Sequence, residues 1–415
     1  MTSFAIQTFG CRVNQAEALN WADFLQSHGL RYSDDSSKSD WIIVNSCTLT
    51  SKADRDVRAF IRRTVRKNSS CRMIVTGCYA EREYDKLVKM PQVFEVVRNK
   101  DKKDLPGKIL AEVSEGKKSV RTPFRSRALV KIQDGCDFRC SFCIIPFVRG
   151  RSVSVPERDI IRQIRRFIQQ GYREIVLTGV HLCLYGKDLF PRSRLLTLLQ
   201  RIENLEGLGR IRLSSLDPRF MDEEILEHIS RSEKICPHFH LSFQHGSNRI
   251  LRRMGRNISL SDYKRVLFKL QSQRPEAGVG CDIMVGFPGE SEKDFEKTAL
   301  FLEESPLSYF HVFSYSPRPG TVAADWPQVD SRLKKERAAL LRRLSLRKNM
   351  EFRRQRLGKI EKSIVIQNKG IGAAQVLTGN YINVLVDSCS FEERDEVDVK
   401  LIYTDAIRTR GEITI

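Results

Sequence analysis

The sequence predicts an α/β protein in three segments: a doubly wound parallel sheet over residues 1–113, a partial (β/α)6 barrel over 122–355, and a small all-β barrel over 356–415. Three observations predict it. Short apolar strands alternate with amphipathic helical stretches through the first two segments, the pattern of parallel sheets. The residues just after those strands are chemically loaded, with cysteines in the first segment and cysteines, glycines, hydroxyls and amides in the second. The end of the chain breaks instead into short strands divided by tight turns such as Thr378-Gly-Asn, which reads as a small barrel.

A single theme recurs three times in the first segment. Phe4-Ala-Ile-Gln-Thr-Phe is followed by Gly10-Cys11, Trp41-Ile-Ile-Val-Asn by Ser46-Cys47, and Met73-Ile-Val-Thr by Gly77-Cys78. Helical patterns lie between, Ala16 to His28 and Ala53 to Lys67. Ligands of such sheets bind at the carboxyl ends of strands. Cys11, Cys47 and Cys78 are therefore expected at one edge of one sheet, a three-thiolate site one ligand short of four. The plain alternative is three core cysteines, since free cysteine is often buried. Cys71 precedes its strand and is expected at the opposite edge, as a surface thiol. Residues 114–128 read as a basic, polar, solvated linker.

The second segment opens with a strand, Leu129 to Ile132, and then Cys136, Cys140 and Cys143 in the spacing C-x3-C-x2-C. Three thiolates on one short loop can hold three irons of a cubane iron–sulfur cluster and leave the fourth iron open. A structural zinc site wants four ligands, and no nearby Cys or His supplies the fourth. Further strands are expected at Glu174–Leu177, Arg210–Leu213, Phe239–Phe243, Gly280–Val285 and Tyr309–Phe313, with helices such as Glu157–Gln170, Ser193–Asn204 and Leu260–Gln273 between them. A partial parallel barrel carries its active site at the carboxyl ends of its strands. There stand Thr178-Gly179, Ser214-Ser215, Gln244-His245-Gly246, Gly286 to Glu290 and Ser314 to Arg318, groups suited to a ribose or an adenine edge.

A long basic helix is expected from Asp330 to Lys359. Leu333, Leu340, Leu341, Leu344, Leu346 and Phe352 form its buried side, and arginines, Arg337 and Arg353 among them, the side that can lie along RNA phosphates. The last strands are read at Lys362–Gln367, Ala374–Leu377, Tyr381–Val386, Glu396–Ile402 and Ile407–Ile415.

Composition narrows the function classes. The 415 residues contain no run of about 18 apolar residues, so no membrane span is expected. The polar amino terminus does not read as a signal peptide. Eleven cysteines, several at strand ends, point to a reducing, cytoplasmic compartment with metal or catalytic thiols. A net charge of +20 is the electrostatic footprint of a nucleic-acid partner.

C-x3-C-x2-C with Phe142 before its last cysteine resembles the loop of the radical S-adenosylmethionine (SAM) superfamily. The resemblance implies a 4Fe-4S cluster on Cys136, Cys140 and Cys143 whose open iron binds SAM, and one-electron cleavage of SAM to a 5′-deoxyadenosyl radical. Thr8 to Glu17, Asn45 to Thr50 with Ala53-Asp-Arg, and Gly77 to Ala80 resemble the amino-terminal domain of the radical-SAM methylthiotransferases. That implies an auxiliary 4Fe-4S cluster on Cys11, Cys47 and Cys78 that carries or donates sulfur, and catalytic roles for all six cysteines. Leu177 to Gly186, Leu213 to Pro218, His240 to Gly255 and Asp282 to Glu290 are similar to the family's SAM-binding segments. They imply cofactor-binding roles for Phe142, Thr178, Gly179, Ser214, Ser215, Gln244, Asp282 and Gly286. Two residues depart from the family pattern. His245 stands where serine is usual and reads as a proton-handling group or as a satisfied polar residue. Cys183 reads as a reactive thiol or as a small buried residue.

The last segment resembles the TRAM module, an OB-like RNA-binding barrel. Among the family's branches, Val130 to Asp137, Glu174 to His181 and Asn45 to Thr50 look most like the one acting on tRNA N6-threonylcarbamoyladenosine (t6A). The other branches act on isopentenyladenosine in tRNA or on a ribosomal-protein aspartate. The positive charge suits RNA better than a basic ribosomal protein. The implied reaction is methylthiolation at C2 of t6A at position 37, using one SAM as methyl donor and another as radical source. The implied partners are tRNA, SAM, a flavodoxin- or ferredoxin-like electron donor and a sulfur source, with the enzyme a monomer. The reading from a different class is a nonenzymatic iron–sulfur RNA-binding redox sensor. The loaded strand ends argue against it, because a sensor needs no SAM pocket.

Overall fold

The computed structural model describes residues 2–113, 125–368, 372–387 and 391–414. Its first sheet has five parallel strands: β1 (Ser3–Thr8), β2 (Arg31–Tyr32), β3 (Trp41–Ser46), β4 (Arg72–Gly77) and β5 (Glu95–Val97), in the order β2-β1-β3-β4-β5. β3 is buried along its whole length, as parallel strands covered on both faces must be. Alternate residues feed two cores: Ile43 and Ile74 pack on one face, Ile42, Val44 and Val75 on the other. Strand order reverses between β1 and β3, the crevice where such sheets take ligands. Cys11 and Cys47 follow those two strands. Cys71 precedes β4 as expected, but it is half-buried against the second of these cores and is not a surface thiol.

The central segment places six parallel strands in an arc: β6 (Ala128–Asp134), β8 (Glu174–Gly179), β9 (Arg210–Leu213), β10 (His238–Gln244), β11 (Gly278–Val285) and β12 (Tyr309–Ser314). β9 and β10 meet through two isolated parallel bridges, Ile211 with Ile235 and Leu216 with Leu241. A short antiparallel strand, β7 (Val153–Ser154), adds to the free edge of β6 and was not legible in the sequence. The helix Arg12–Ser27 leaves the first sheet and packs over β6 and β8, which joins the two segments. Of the expected linker, residues 114–124 lie outside the described residues. Its end differs from the reading, since Arg125 is half-buried and Ala128 begins β6.

The long helix runs Ser331–Gln355, and its faces differ from the reading. Leu340 and Leu346 are exposed, whereas Arg337 and Arg353 are buried. Arginine stems pack well against apolar surface when their heads find partners. Arg337 donates to Glu290 Oε1 at 2.6 Å and to Glu292 Oε2 at 2.7 Å. Arg353 donates to Thr404 Oγ1 at 2.9 Å.

The last five strands, β13 (Ile360–Asn368), β14 (Ala373–Thr378), β15 (Asn383–Asp387), β16 (Glu396–Thr404) and β17 (Thr409–Thr414), close into a barrel ordered β13-β14-β15-β17-β16. Its centre is filled by Val365, Val376, Val384, Val386, Val397, Val399 and Leu401. Tyr381 is not in a strand: it sits in the turn before β15 at φ +74°.

This barrel is held to the central segment by a buried charge lock. Glu174 of β8 accepts from Arg212 Nε at 2.8 Å and from Arg210 Nε at 2.7 Å. The two guanidiniums then donate to four backbone carbonyls of the barrel: Lys362 at 3.0 Å, Leu377 at 2.9 Å, Thr378 at 3.1 Å and Gly379 at 2.8 Å. Burial opposes ionisation of Glu174, but the flanking arginines hold its carboxyl far below the usual range.

Candidate functional site

Cys136, Cys140 and Cys143 lie on the loop between β6 and a short helix, Ile145–Arg149. Gly135 opens the loop at φ +67°, and a Cβ there would collide with the Arg151 carbonyl. The loop is tied at two points. Cys136 N–H donates to Gly150 O at 3.1 Å, and Ser141 N–H donates to Met254 O at 3.0 Å. All three thiols are partly exposed, and burial pushes each of them up, Cys143 to about 12. Arg219 and Arg256 oppose that rise at Cys140. Such thiols stay protonated until a cation replaces the proton. Among the described residues no three Cys, His, Asp or Glu side chains are arranged around a single ion. Three thiolates without a fourth protein ligand match a cubane, whose corners take one thiolate each, better than a four-ligand zinc site.

The expected cofactor residues sort by position. Thr178, Gly179, Ser214, Ser215, Gln244 and Gly286 stand at the carboxyl ends of β8 to β11, on the rim that carries the cysteine loop. Ser214 Oγ is buried without a hydrogen-bond partner, an orphan that a polar cofactor atom would satisfy. Ser215 is exposed, and Gln244 is half-buried at φ +76°. Phe142 packs edge-on against Phe287, ring centres 6.4 Å apart. Gly286 has φ +69°, and a Cβ would meet the Lys334 side chain. Asp282 lies within β11, deeper than the rim, and pairs with His240 Nε2 at 3.1 Å.

His245 is a satisfied polar residue. Its Nε2 faces Glu290 Oε2 at 3.2 Å, and its Nδ1 accepts from Ser247 N–H at 3.0 Å. Cys183 packs against the main core, and burial pushes its thiol up to about 12, which suits a packing role and not a reactive one.

The second triad sits at the carboxyl edge of the first sheet. Cys11 precedes the helix Arg12–Ser27, Cys47 follows β3, and Cys78 begins a short helix after β4. A Cβ on Gly10, at φ +89°, would lie 2.5 Å from Cys47 Sγ, so glycine there brings the chain against that thiol. Cys47 is raised to about 12 by burial, and neighbouring Cys11 and Cys78 add to the rise.

The two triads are connected through the short helix after Cys143. Ile144 and Val148, just past Cys143, pack directly against Cys78. Arg149 closes the same short helix, and its Nε donates to Cys78 Sγ at 3.2 Å. Its other nitrogens bind Asp134 Oδ1 at 2.6 Å and Asn14 Oδ1. Buried Glu17 completes the joint, accepting from Lys102 at 2.8 Å and Lys131 at 2.9 Å.

Comparison with known proteins agrees with this geometry. The family model for the radical SAM superfamily matches residues 130–302, and that for uncharacterized protein family UPF0004 matches residues 3–98. The threonylcarbamoyladenosine tRNA methylthiotransferase MtaB of Aquifex aeolicus is 38% identical over 400 residues, 92% of this chain and 95% of that one. The chain belongs to the radical-SAM tRNA methylthiotransferase family. MtaB of Rickettsia prowazekii is 36% identical, covering 92% of this chain and 91% of its own. Among solved structures, the radical SAM methyltransferase TsrM from Kitasatospora setae superposes with a TM-score of 0.55 at 14% identity, over 78% of this chain and 74% of that one. At that identity the likeness shows the fold alone. The methylthiotransferase family uses SAM and a 4Fe-4S cluster, and its members carry a second cluster.

Two residues inside segments that the sequence marks make contacts that it did not reveal. Asp217 accepts from Arg219 at 2.6 Å, Arg256 at 3.1 Å and His181 at 3.2 Å, close to Cys140 of the cysteine loop. Arg318 reaches back to the first sheet and binds Asp54 at 2.7 Å. The one available signal was the crowding of arginine and aspartate just after strands. Among the described residues no helix is long and apolar enough to cross a membrane.

Proposed function

We propose that this methylthiotransferase places a methylthio group on C2 of N6-threonylcarbamoyladenosine at position 37 of tRNA, giving 2-methylthio-t6A. One observation carries the reading: two cysteine triads, from two different sheets, are joined by the five-residue helix after Cys143, whose Val148 and Arg149 both contact Cys78. The names of the relatives support the substrate, and the +20 charge supports RNA. When bound, the clusters and SAM supply radical generation and the transferred sulfur. Cys136, Cys140 and Cys143 hold one cluster and leave an iron free for SAM. Thr178, Ser214 and Gln244 hold the polar groups of SAM. Cys11, Cys47 and Cys78 hold the second cluster, and Arg149 keeps both triads in register. The closed barrel and the exposed arginines of the long helix hold the RNA. A flavodoxin- or ferredoxin-like donor supplies electrons, a separate source supplies sulfur, and the enzyme works as a cytoplasmic monomer.

The test is nucleoside mass spectrometry of total tRNA from cells lacking this chain, with and without its re-expression. The expected result is loss and return of 2-methylthio-t6A. A change in the isopentenyl derivative instead would refute the substrate and leave the chemistry. If neither changed, the tRNA reading would fail and a protein target would take its place.

A further inference from the structure

Where the helix Arg12–Ser27, strands β6 and β8, and the last barrel come together, they enclose a cavity of about 640 Å³. Its charged lining is Arg12, Arg125, Arg127, Asp34 and Glu393, and Tyr381 stands among them. Most of these groups are engaged. Arg127 donates to Glu174 at 3.4 Å, and Asp34 accepts from Tyr32 at 2.8 Å. Arg12 is different. Its Nη2 donates to the Tyr381 hydroxyl at 3.2 Å, and its guanidinium lies 5.6 Å from the Tyr381 ring centre. Its Nη1 is shielded from solvent and has no hydrogen-bond partner.

A buried guanidinium N–H left unpaired is costly, so it marks a place where an acceptor belongs. The surroundings favour an anion, because three arginines, Arg12, Arg125 and Arg127, line the cavity against two carboxylates, Asp34 and Glu393. Burial resists ionisation of the Tyr381 phenol, yet Arg12, Arg127 and Arg212 outweigh it and hold its pKa below the ordinary value. Tyr381 is itself fixed, stacked on His238 with ring centres 4.3 Å apart. The guanidinium is thus aimed by a rigid partner and keeps one donor in reserve.

Arg12 directly follows Cys11 of the proposed sulfur-donor triad. In adenine, C2 and N6 flank N1 on one edge of the ring. A base presenting C2 to that triad carries its N6 substituent along the same side. The threonylcarbamoyl group ends in a carboxylate, and an isopentenyl group has no charge. We propose that Arg12 binds the threonyl carboxylate of the substrate and is the residue that selects t6A over apolar N6-modified adenosines, an inference that rests on the t6A reading. Charge-assisted pairing strengthens binding of the acid. An apolar substituent would leave Arg12 Nη1 buried and unpaired, and sites built around a polar contact reject analogues lacking it.

The test uses the full-length, cluster-loaded enzyme and two anticodon stem-loop RNAs, one with t6A and one with the threonine carboxylate converted to its carboxamide. Dissociation constants and methylthio product are measured for both. The wild type is expected to favour the acid by about 10- to 100-fold. Arg12→Gln is expected to bind the two RNAs within about 3-fold of each other. Tyr381→Phe keeps the guanidinium and the ring stacked on His238 but removes the hydroxyl contact, and is expected to weaken the acid preference without abolishing it. The proposal is overturned if the wild type treats acid and amide alike, if Arg12→Gln retains the preference, or if Tyr381→Phe loses it as well. In each of those cases product from the t6A RNA would leave the reaction itself standing. If the wild type methylthiolates neither RNA, the t6A reading falls first and the role of Arg12 falls with it.

Discussion

Cys140→Ala is expected to abolish 5′-deoxyadenosine formation from SAM, whereas Cys47→Ala is expected to leave that cleavage intact and stop methylthio transfer. The two variants are paired because the triads belong to separate sheets. Cys140 sits in the loop after β6, pinned through Ser141 to Met254. Cys47 follows β3 and is buried beside Gly10. Neither substitution removes a hydrogen bond that holds the other triad. Each variant should lose about four of about eight irons per chain, as expected for two four-iron clusters. Iron content, deoxyadenosine yield under anaerobic reduction and methylthio product on RNA are measured together. Methylthio product from the Cys47 variant would refute the sulfur-donor assignment. Deoxyadenosine from the Cys140 variant would refute the assignment of the SAM-binding cluster.

Glu174→Ala is expected to destabilise the protein by about 3–5 kcal/mol, because it strands two buried guanidiniums without their counter-ion. Glu174, Arg212 and Arg210 have little or no contact with solvent, so water cannot replace the lost carboxylate. Arg210 and Arg212 would then hold the barrel carbonyls while bearing uncompensated charge. The loss should appear in denaturant unfolding and in faster proteolytic release of the last barrel. The pH dependence has a definite sign. The Glu174 carboxyl is depressed in the folded state, so its contribution is fully present above the ordinary carboxyl value of 4.5. It fades as the pH falls below that value toward the folded one. The difference between wild type and variant should therefore be constant at neutral pH and shrink only in acid. A difference below about 1 kcal/mol at pH 7, well short of a broken buried pair, would show that the lock is not what holds the barrel.

Much of the architecture could be read locally. The strands announced themselves as short apolar runs, and the cysteines after β1, β3 and β4 share one edge because parallel strands all end on the same side. The six central strands and the five of the barrel lie within two residues of the expected bounds at every end. The largest error has a plain cause. Apolar periodicity treats arginine as solvent-facing, so it turns the long helix the wrong way: Arg337 and Arg353 are inside with partners, and Leu340 and Leu346 outside. The pairing of Asp282, inside β11, with His240 is a cross-strand contact that no local pattern gives.

By itself the sequence determined which residues could bind iron, which strands would carry them, and that the chain is basic, since these follow from side-chain chemistry, strand period and turn position. Only the tertiary structure decided that Arg149 of the SAM-loop helix contacts Cys78, that Glu174 locks two arginines to the last barrel, and that Tyr381 pairs with Arg12. Those contacts join residues far apart in the chain, 71 positions for Arg149 with Cys78, 167 for Arg212 with Gly379 and 369 for Arg12 with Tyr381. Such pairs are set by strand order and by the path of the chain between sheets. No local pattern encodes that path, because each partner is individually an ordinary charged or aromatic residue until folding buries it beside the other.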